Sequence, residues 1–276
     1  MKLSCADYTF PSLPHAQALR LVAMLGFAGV DVGLFAGRSE IEPATVPSDV
    51  PAIVSTLRPA LDESGLSVAD LFVQVSGDFT RQAINHPTAS VRTRVHDQLM
   101  VNLDLAAELG APGMTVLPGV LFPDGRNASL DRSAQALTSL VHAARERGLV
   151  LSVEPHVESL IETVAATEEL LARTPGLALT LDHAHFIRGG EPQQAIDLLL
   201  PRARHLQMRG ATSTQLQASM ADNVIDFGAV MDKLVQLDYA GWVATEYVWS
   251  EWYECNRVDN LTETAALRNL LTSAIA

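Results

Sequence analysis

The chain has 276 residues, is 48% hydrophobic, and sets 19 basic against 32 acidic side chains, a formal net charge of −13. That length suits one large domain or two small ones, and the acidic balance excludes nucleic acid and anionic membranes as expected partners, because phosphate groups are repelled. Apolar runs stay short of the roughly 18 residues a membrane-spanning helix needs, the opening MKLSCADYTF lacks a signal-peptide core, and Cys5 and Cys255 make no disulfide scaffold, so a cytoplasmic location and a small, neutral substrate are expected.

In chain order, strand-like runs fall near MKLSCADYT, GVDVGLF, LSVADLFVQV, GMTVLPG, LVLSVEPH, LALTLDHAHF, RHLQMRG and WVATEYV. Between them lie stretches with an apolar period near 3.6: HAQALRLVAMLG, VPAIVSTLRPALDESG, VRTRVHDQLMVNLDLAAELG, LDRSAQALTSLVHAARERG, TVAATEELLART, EPQQAIDLLL and FGAVMDKLVQLD, with TETAALRNLL after the last strand. Several end in glycine (Gly26, Gly65, Gly110, Gly148), the expected left-handed helix stop. Eight such βα units predict a single α/β domain over residues 1–276, a closed (β/α)8 TIM barrel. An open doubly wound sheet would bring a glycine-rich phosphate turn after the first strand, and ADYTFPSLP has none. The longest loops, AGRSEIEPATVPSD, GVLFPDGRNAS and ATSTQLQASMADN, all follow strands and so belong to the catalytic face; the last is expected to be a mobile lid.

Four consecutive late strands end in an oxygen-bearing side chain: Glu154, Asp182, Gln207 and Glu246. Parallel neighbours would bring all four to one point, and a cluster of three carboxylates without a cation repels itself. An oxygen donor set favours one divalent ion, Mn2+ or Mg2+, with Co2+ and Zn2+ as alternatives. Any one of these residues alone reads equally well as a helix cap or a salt-bridge partner.

Histidines lie beside the set. His156 follows Glu154 by two, His185 follows Asp182 by three, and Arg209 shares the parity of Gln207. These groups suit positioning hydroxyls, stabilising an oxyanion or shuttling protons; the alternative is core histidines donating to backbone carbonyls. His205 is expected to be structural, and His15, His86, His96 and His142 to lie at the surface. After the last strand, Trp249, Trp252, Tyr253, Asn256 and Arg257 could wall a sugar pocket or close the barrel, and Asp259 or Asn260 could cap the final helix.

The stretches SVEPH, TLDHAHF, RHLQMRG, IDFGAVMDKLVQLDYAGWVATEY and WYECNRVDNLTET resemble the xylose-isomerase-like sugar phosphate isomerase/epimerase superfamily of (β/α)8 barrels. The resemblance implies that Glu154, Asp182, Gln207 and Glu246 ligate one metal, that Glu154 and Glu246 move the proton, and that His185 touches a substrate oxygen. Gln207 departs from the ketose 3-epimerases, which have histidine there, and looks like the hydroxypyruvate isomerase variant. Strand ends FVQVSGD and VLPGV lack the extra ligands of the superfamily's abasic-site nucleases. EPHVES and the CNRVDN tail look more like deglycosidases that cleave 3-oxo-glycosides, including C-glycosides, with a small second subunit.

The expected activity is therefore a metal-dependent sugar isomerase or epimerase. It would act by proton abstraction beside a carbonyl through an enediolate, with Glu154, Glu246, His156 and His185 catalytic and His185, Arg209, Trp249 and Trp252 binding substrate. The alternatives are a lyase that expels an aglycone by β-elimination, with His156 or His185 as base or acid, and a non-catalytic sugar-binding barrel. The expected partners are a small sugar or glycoside, a second copy of the chain in a homo-oligomer, and a small second subunit if the chain is a deglycosidase.

Overall fold

The computed structural model describes residues 1–46 and 49–275. Pro47 and Ser48, in the loop expected after the second strand, and Ala276 lie outside the described residues. Among the described residues, eight parallel strands close into one barrel in sequence order: β1 (Lys2–Ala6), β2 (Gly29–Phe35), β3 (Ser67–Gln74), β4 (Gly113–Val116), β5 (Val150–Val153), β6 (Ala178–Asp182), β7 (Ala203–Met208) and β8 (Trp242–Thr245), which pairs back onto β1. The TIM-barrel expectation is met. Helices α1 (His15–Met24), α2 (Val50–Ser64), α3 (Ala89–Leu109), α4 (Arg126–Glu146), α5 (Val164–Arg173), α6 (His183–Arg188), α7 (Gln193–Ile196), α8 (Phe227–Gln236) and α9 (Asn260–Ile275) fill the connections and the end of the chain.

Local chemistry sets the helix ends. Asp49 and Thr163 accept the Ala52 and Ala166 amides and so cap α2 and α5. Gly26, Gly65, Gly110 and Gly148 all take positive φ, as expected of helix stops. LALTLDHAHF does not remain a strand: Asp182 ends β6, accepts the Ala184 amide and starts α6, which carries His183 and His185. None of the described helices is long and apolar enough to cross a membrane.

Alternation along each strand builds two cores. Outward residues such as Val32, Leu34, Leu71, Met114, Val116, Leu151, Leu179, Leu181, Leu206 and Val243 join the main apolar core with Leu19, Leu103, Leu137 and Leu234 from the helices. Inward residues are polar instead of the branched aliphatics common inside such barrels. Asp31 accepts from Ser4 Oγ at 2.9 Å and pairs with His205 Nε2 at 2.6 Å. Asp70 pairs with Arg204 at 2.7 Å, and Arg204 also donates to Ser152 Oγ at 2.7 Å.

A register shift explains how Arg204 joins this set. Leu179 faces Ala203 while Thr180 faces His205, so Arg204 is the extra residue of a bulge and turns inward beside His205. His205 is structural, as expected, but His15 is not a free surface group, since its Nδ1 lies 3.3 Å from Asp7.

Two glycines separate backbone strain from crowding. Gly110 ends α3 at φ +77°, with nothing within 4 Å of where a Cβ would stand. Gly113 opens β4, and a Cβ there would lie 2.2 Å from the Val150 carbonyl oxygen and 2.9 Å from Arg204. Gly110→Ala should cost about 1 kcal/mol, the left-handed penalty alone. Gly113→Ala should cost about 3 kcal/mol or more, because backbone must move. Equilibrium denaturant unfolding distinguishes the two, and equal losses would refute the assignment.

Candidate active site

The four strand-end residues meet at the barrel mouth. Asp182 and Gln207 are direct register partners on β6 and β7. Glu246 follows β8, with its amide on the Met208 carbonyl, and Glu154 follows β5, with its amide on the Val116 carbonyl. All four are buried. Glu154, Asp182 and His185 each present a ligand atom within 4.8 Å of the others.

Charge in this cluster is partly compensated from inside. Arg209 Nη2 lies 2.7 Å from Asp182 Oδ2, and its Nη1 lies 3.5 Å from Glu246 Oε2. Three carboxyl groups face one guanidinium, so ionising all three would leave two negative charges uncompensated. Burial and the neighbouring carboxylates push the Glu154 carboxyl up to about 8, and burial holds Glu246 well above the usual carboxylate range. The same carboxylates raise Arg209 against the opposing effect of burial.

The oxygens suit a divalent cation. Asp182 Oδ2, Gln207 Oε1 and Glu246 Oε2 are buried atoms without a hydrogen bond, the Asp182 contact to Arg209 being a charge contact off the hydrogen-bond direction. Gln207 uses its Nε2 to donate to the Tyr8 hydroxyl at 2.9 Å, which leaves its carbonyl free. Buried polar atoms left unpaired cost about 1–3 kcal/mol each, and one ion with oxygen ligands would satisfy all three and cancel the residual charge.

The histidines are neutral, and their tautomers are set by the hydrogen-bond network. His156 Nδ1 donates to the Val157 carbonyl at 2.6 Å, so its Nε2, buried without a partner, is a bare lone pair. His185 Nδ1 faces the Val157 amide at 3.2 Å, and its Nε2 lies 3.5 Å from Glu154 Oε1 and 3.6 Å from Asp182 Oδ2. Burial, with help from Arg209, depresses both rings to about 3. Arg209 Nη2, always a donor, lies 2.8 Å from the same His185 Nε2, so the ring sits between two donors, this guanidinium and the Val157 amide.

A cavity of 690 Å³ opens over this cluster. Its polar floor is Glu154, His156, His185, Arg209 and Glu246, and its opposite wall is Phe35, Phe72, Phe79, Leu117, Val120 and Leu121, with Trp252 at the β8 side.

Comparison with known proteins fits this architecture. The model of the family described as xylose isomerase-like TIM barrel matches residues 19–271. The chain belongs to this family. Among curated relatives, the inosose dehydratase of Geobacillus kaustophilus (strain HTA426) is 26% identical over 269 residues, covering 83% of this chain and 79% of that enzyme. Among solved structures, a D-psicose 3-epimerase in the presence of D-fructose superposes with a TM-score of 0.77 at 15% identity, over 99% of this chain and 98% of that one. The 3-keto-D-glucoside 4-epimerase of E. coli superposes with a TM-score of 0.74 at 17% identity, over 99% of both chains. At those identities the superpositions show the fold alone.

Within this xylose isomerase-like barrel, Glu154, Asp182, Gln207, Glu246, His156, His185 and Arg209 come together as the sequence suggested, and Trp252 lines the cavity. Trp249 does not join them: it is 53% exposed and outside the lining. Tyr253 turns to Glu158 and the Arg188 guanidinium, and Arg257 is exposed and paired with Glu254.

The loop after β7 is no free lid. Leu216, Gln217 and Ala218 are buried, and Gln217 Nε2 donates to the Val248 and Cys255 carbonyls at 3.0 and 2.6 Å. Asp259 accepts the Leu261 amide at 3.0 Å at the start of α9, while Asn260 is buried and donates to the Thr9 and Tyr247 carbonyls.

Sequence reasoning missed Tyr8, Arg38, Phe79 and Glu158, all of which line the cavity. Tyr8 alone carried a signal, an aromatic hydroxyl just past the end of β1.

Glu154 and Glu246 have raised values in the metal-free fold, so the folded state retains protons that the unfolded chain releases. Their contribution to stability is present below the ordinary carboxylate range and lost as pH rises, for Glu154 through about 8. The metal-free protein should therefore melt lower at about pH 9 than at about pH 6. Added Mn2+ should raise the melting temperature more at about pH 9, because at lower pH it must displace protons. Thermal unfolding with and without Mn2+ measures both, and a stabilisation that shrinks with rising pH would contradict the reading.

Proposed function

We propose that the chain is a divalent-metal-dependent sugar isomerase or epimerase that moves a proton at the carbon beside a ketone or aldehyde. The observation that carries this is the set of buried oxygens without a hydrogen bond on Asp182, Gln207 and Glu246, in a cluster of three carboxyl groups around one guanidinium. Asp182, Gln207, Glu246 and Glu154 would hold the ion, Mn2+ or Mg2+ by donor type. Once bound, it would polarise the substrate carbonyl and stabilise the charge left when the neighbouring C–H ionises.

The remaining work falls to the chain. Glu154 and Glu246 leave the barrel three strands apart, so they reach a substrate over the floor from two sides. One carboxylate takes the proton from carbon, and the other returns one to the opposite face or to the adjacent carbon. His156 Nε2, with no proton of its own, accepts from a substrate hydroxyl. Arg209, positioned by His185 Nε2 at 2.8 Å, donates to a substrate oxygen. With both imidazoles depressed to about 3, their part is positioning; the carboxylates carry the proton. Phe79 and Trp252 pack against His156 and His185 and keep water from the reacting carbon.

A second outcome of the same first step is elimination. After the proton leaves, a group on the next carbon departs as water or an aglycone, taking a proton as it goes, and a lyase results. The inosose dehydratase relative and the apolar wall of the 690 Å³ cavity, wide enough for an aglycone, favour this reading.

Proton NMR in D2O with Mn2+-loaded protein, quenched and stripped of metal before measurement, separates the outcomes on ketoses, inososes and 3-oxo-glycosides. Deuterium beside the carbonyl together with a new isomer is the expected result, whereas an unsaturated ketone or free aglycone identifies the lyase. Glu246→Gln should slow exchange by roughly 10²–10⁴-fold. Undiminished exchange in that variant, with Mn2+ still bound, would remove Glu246 from the proton path.

A further inference from the structure

We propose that Tyr8 is a positioning residue that locks the Gln207 amide with its carbonyl toward a divalent cation, an inference that rests on the metal site proposed above. A glutamine amide has two ends of nearly equal size, and only the oxygen can bind a cation. Facing three carboxylates, the NH2 end is the one drawn inward when no cation is present. The structure holds the opposite orientation, with Gln207 Oε1 buried and unpaired.

Tyr8 explains why. Its hydroxyl has one proton, and that proton goes to Glu246 Oε1 at 2.7 Å. Toward Gln207 the same oxygen has only lone pairs to offer, so it selects the donor end, Nε2, at 2.9 Å. The planar amide then turns its carbonyl into the site. The hydroxyl stays in place because the ring is wedged between Phe35 and Phe72, with centroids 4.5 and 6.4 Å away. It also occupies space that exists only because residue 33 is glycine: a Cβ on Gly33 would come within 2.3 Å of Tyr8 Cδ1. One tyrosine thus sets the direction of two neighbouring ligands, one by donating and one by accepting.

The test is a double-mutant cycle read by Mn2+ affinity, from the free-ion signal in electron paramagnetic resonance, with circular dichroism and melting temperature as folding checks. The four proteins are the unmodified chain, Tyr8→Phe, Gln207→Glu and the double variant. Tyr8→Phe should weaken Mn2+ binding about tenfold or more when residue 207 is glutamine, the loss typical of a removed ligand-orienting partner. With glutamate at 207 it should weaken binding by less than about threefold, because a carboxylate presents oxygen whichever way it turns. A merely structural role, or one exerted only through Glu246, gives the same factor in both backgrounds and would overturn the proposal. Should Tyr8→Phe not fold, Gly33→Ala displaces the ring and supplies the same comparison, with the same expected rescue by Gln207→Glu. Failure of the unmodified protein to bind Mn2+ would remove the metal site itself, and the role of Tyr8 with it.

Discussion

Three carboxylates buried around one guanidinium form the constraint on which the rest of the catalytic face depends. Glu154, Asp182 and Glu246 are taken out of water at the ends of β5, β6 and β8, and Arg209 returns only one positive charge. Buried charge of one sign is expensive unless it is paired or coordinated. The neighbouring groups are disposed to limit that cost: Ala184 donates its amide to Asp182, and Tyr8 its hydroxyl to Glu246. What they leave unpaired is oxygen, on three side chains and in one place.

The floor beneath this cluster is polar rather than aliphatic. Ser4, Asp31 and His205 form one buried group, and Asp70, Thr115, Ser152, Thr180 and Arg204 another. Such bonds hold their members in fixed directions, His205 through Nε2 alone, since its buried Nδ1 has no partner. Because His205 is two residues before Gln207, and Thr180 two before Asp182, the network grips the same strands that carry these two site residues. The main apolar core lies outside the barrel, between strands and helices, so stability and site geometry draw on different faces of the same strands.

The cavity joins two chemistries. Strands β5 to β8 contribute charge and hydrogen-bond donors, while β2 to β4 and their loops contribute Phe35, Phe72, Phe79, Leu117, Val120 and Leu121. Epimerases and dehydratases among the similar proteins differ in name, yet ionisation of a C–H beside a carbonyl can begin either reaction. The outcome of such an ionisation depends on whether a group on the next carbon can leave. Gln217 and Asn260 hold the β8 loop firmly, tying Val248, Cys255 and Tyr247 to the β7 loop and to α9.

The sequence by itself determined the architecture and the ring of polar strand-end residues. A period of 2 in the strands, a period near 3.6 between them and glycine at the helix stops specify a βα repeat, and a polar residue at each of four successive strand ends converges once the strands are parallel. These are local or regularly spaced signals, and local physics reads them. Tertiary structure alone decided the polar barrel interior, because a bulge turned Arg204 inward among residues up to 134 positions away. It decided that Trp252 and not Trp249 reaches the cavity, since the turn through Tyr253 and Glu254 adopts left-handed conformations that no residue in it announces. It also decided the part of Tyr8, whose partner Glu246 lies 238 residues along the chain. Contacts at that separation exist only when the barrel closes, and closure brings β1 beside β8.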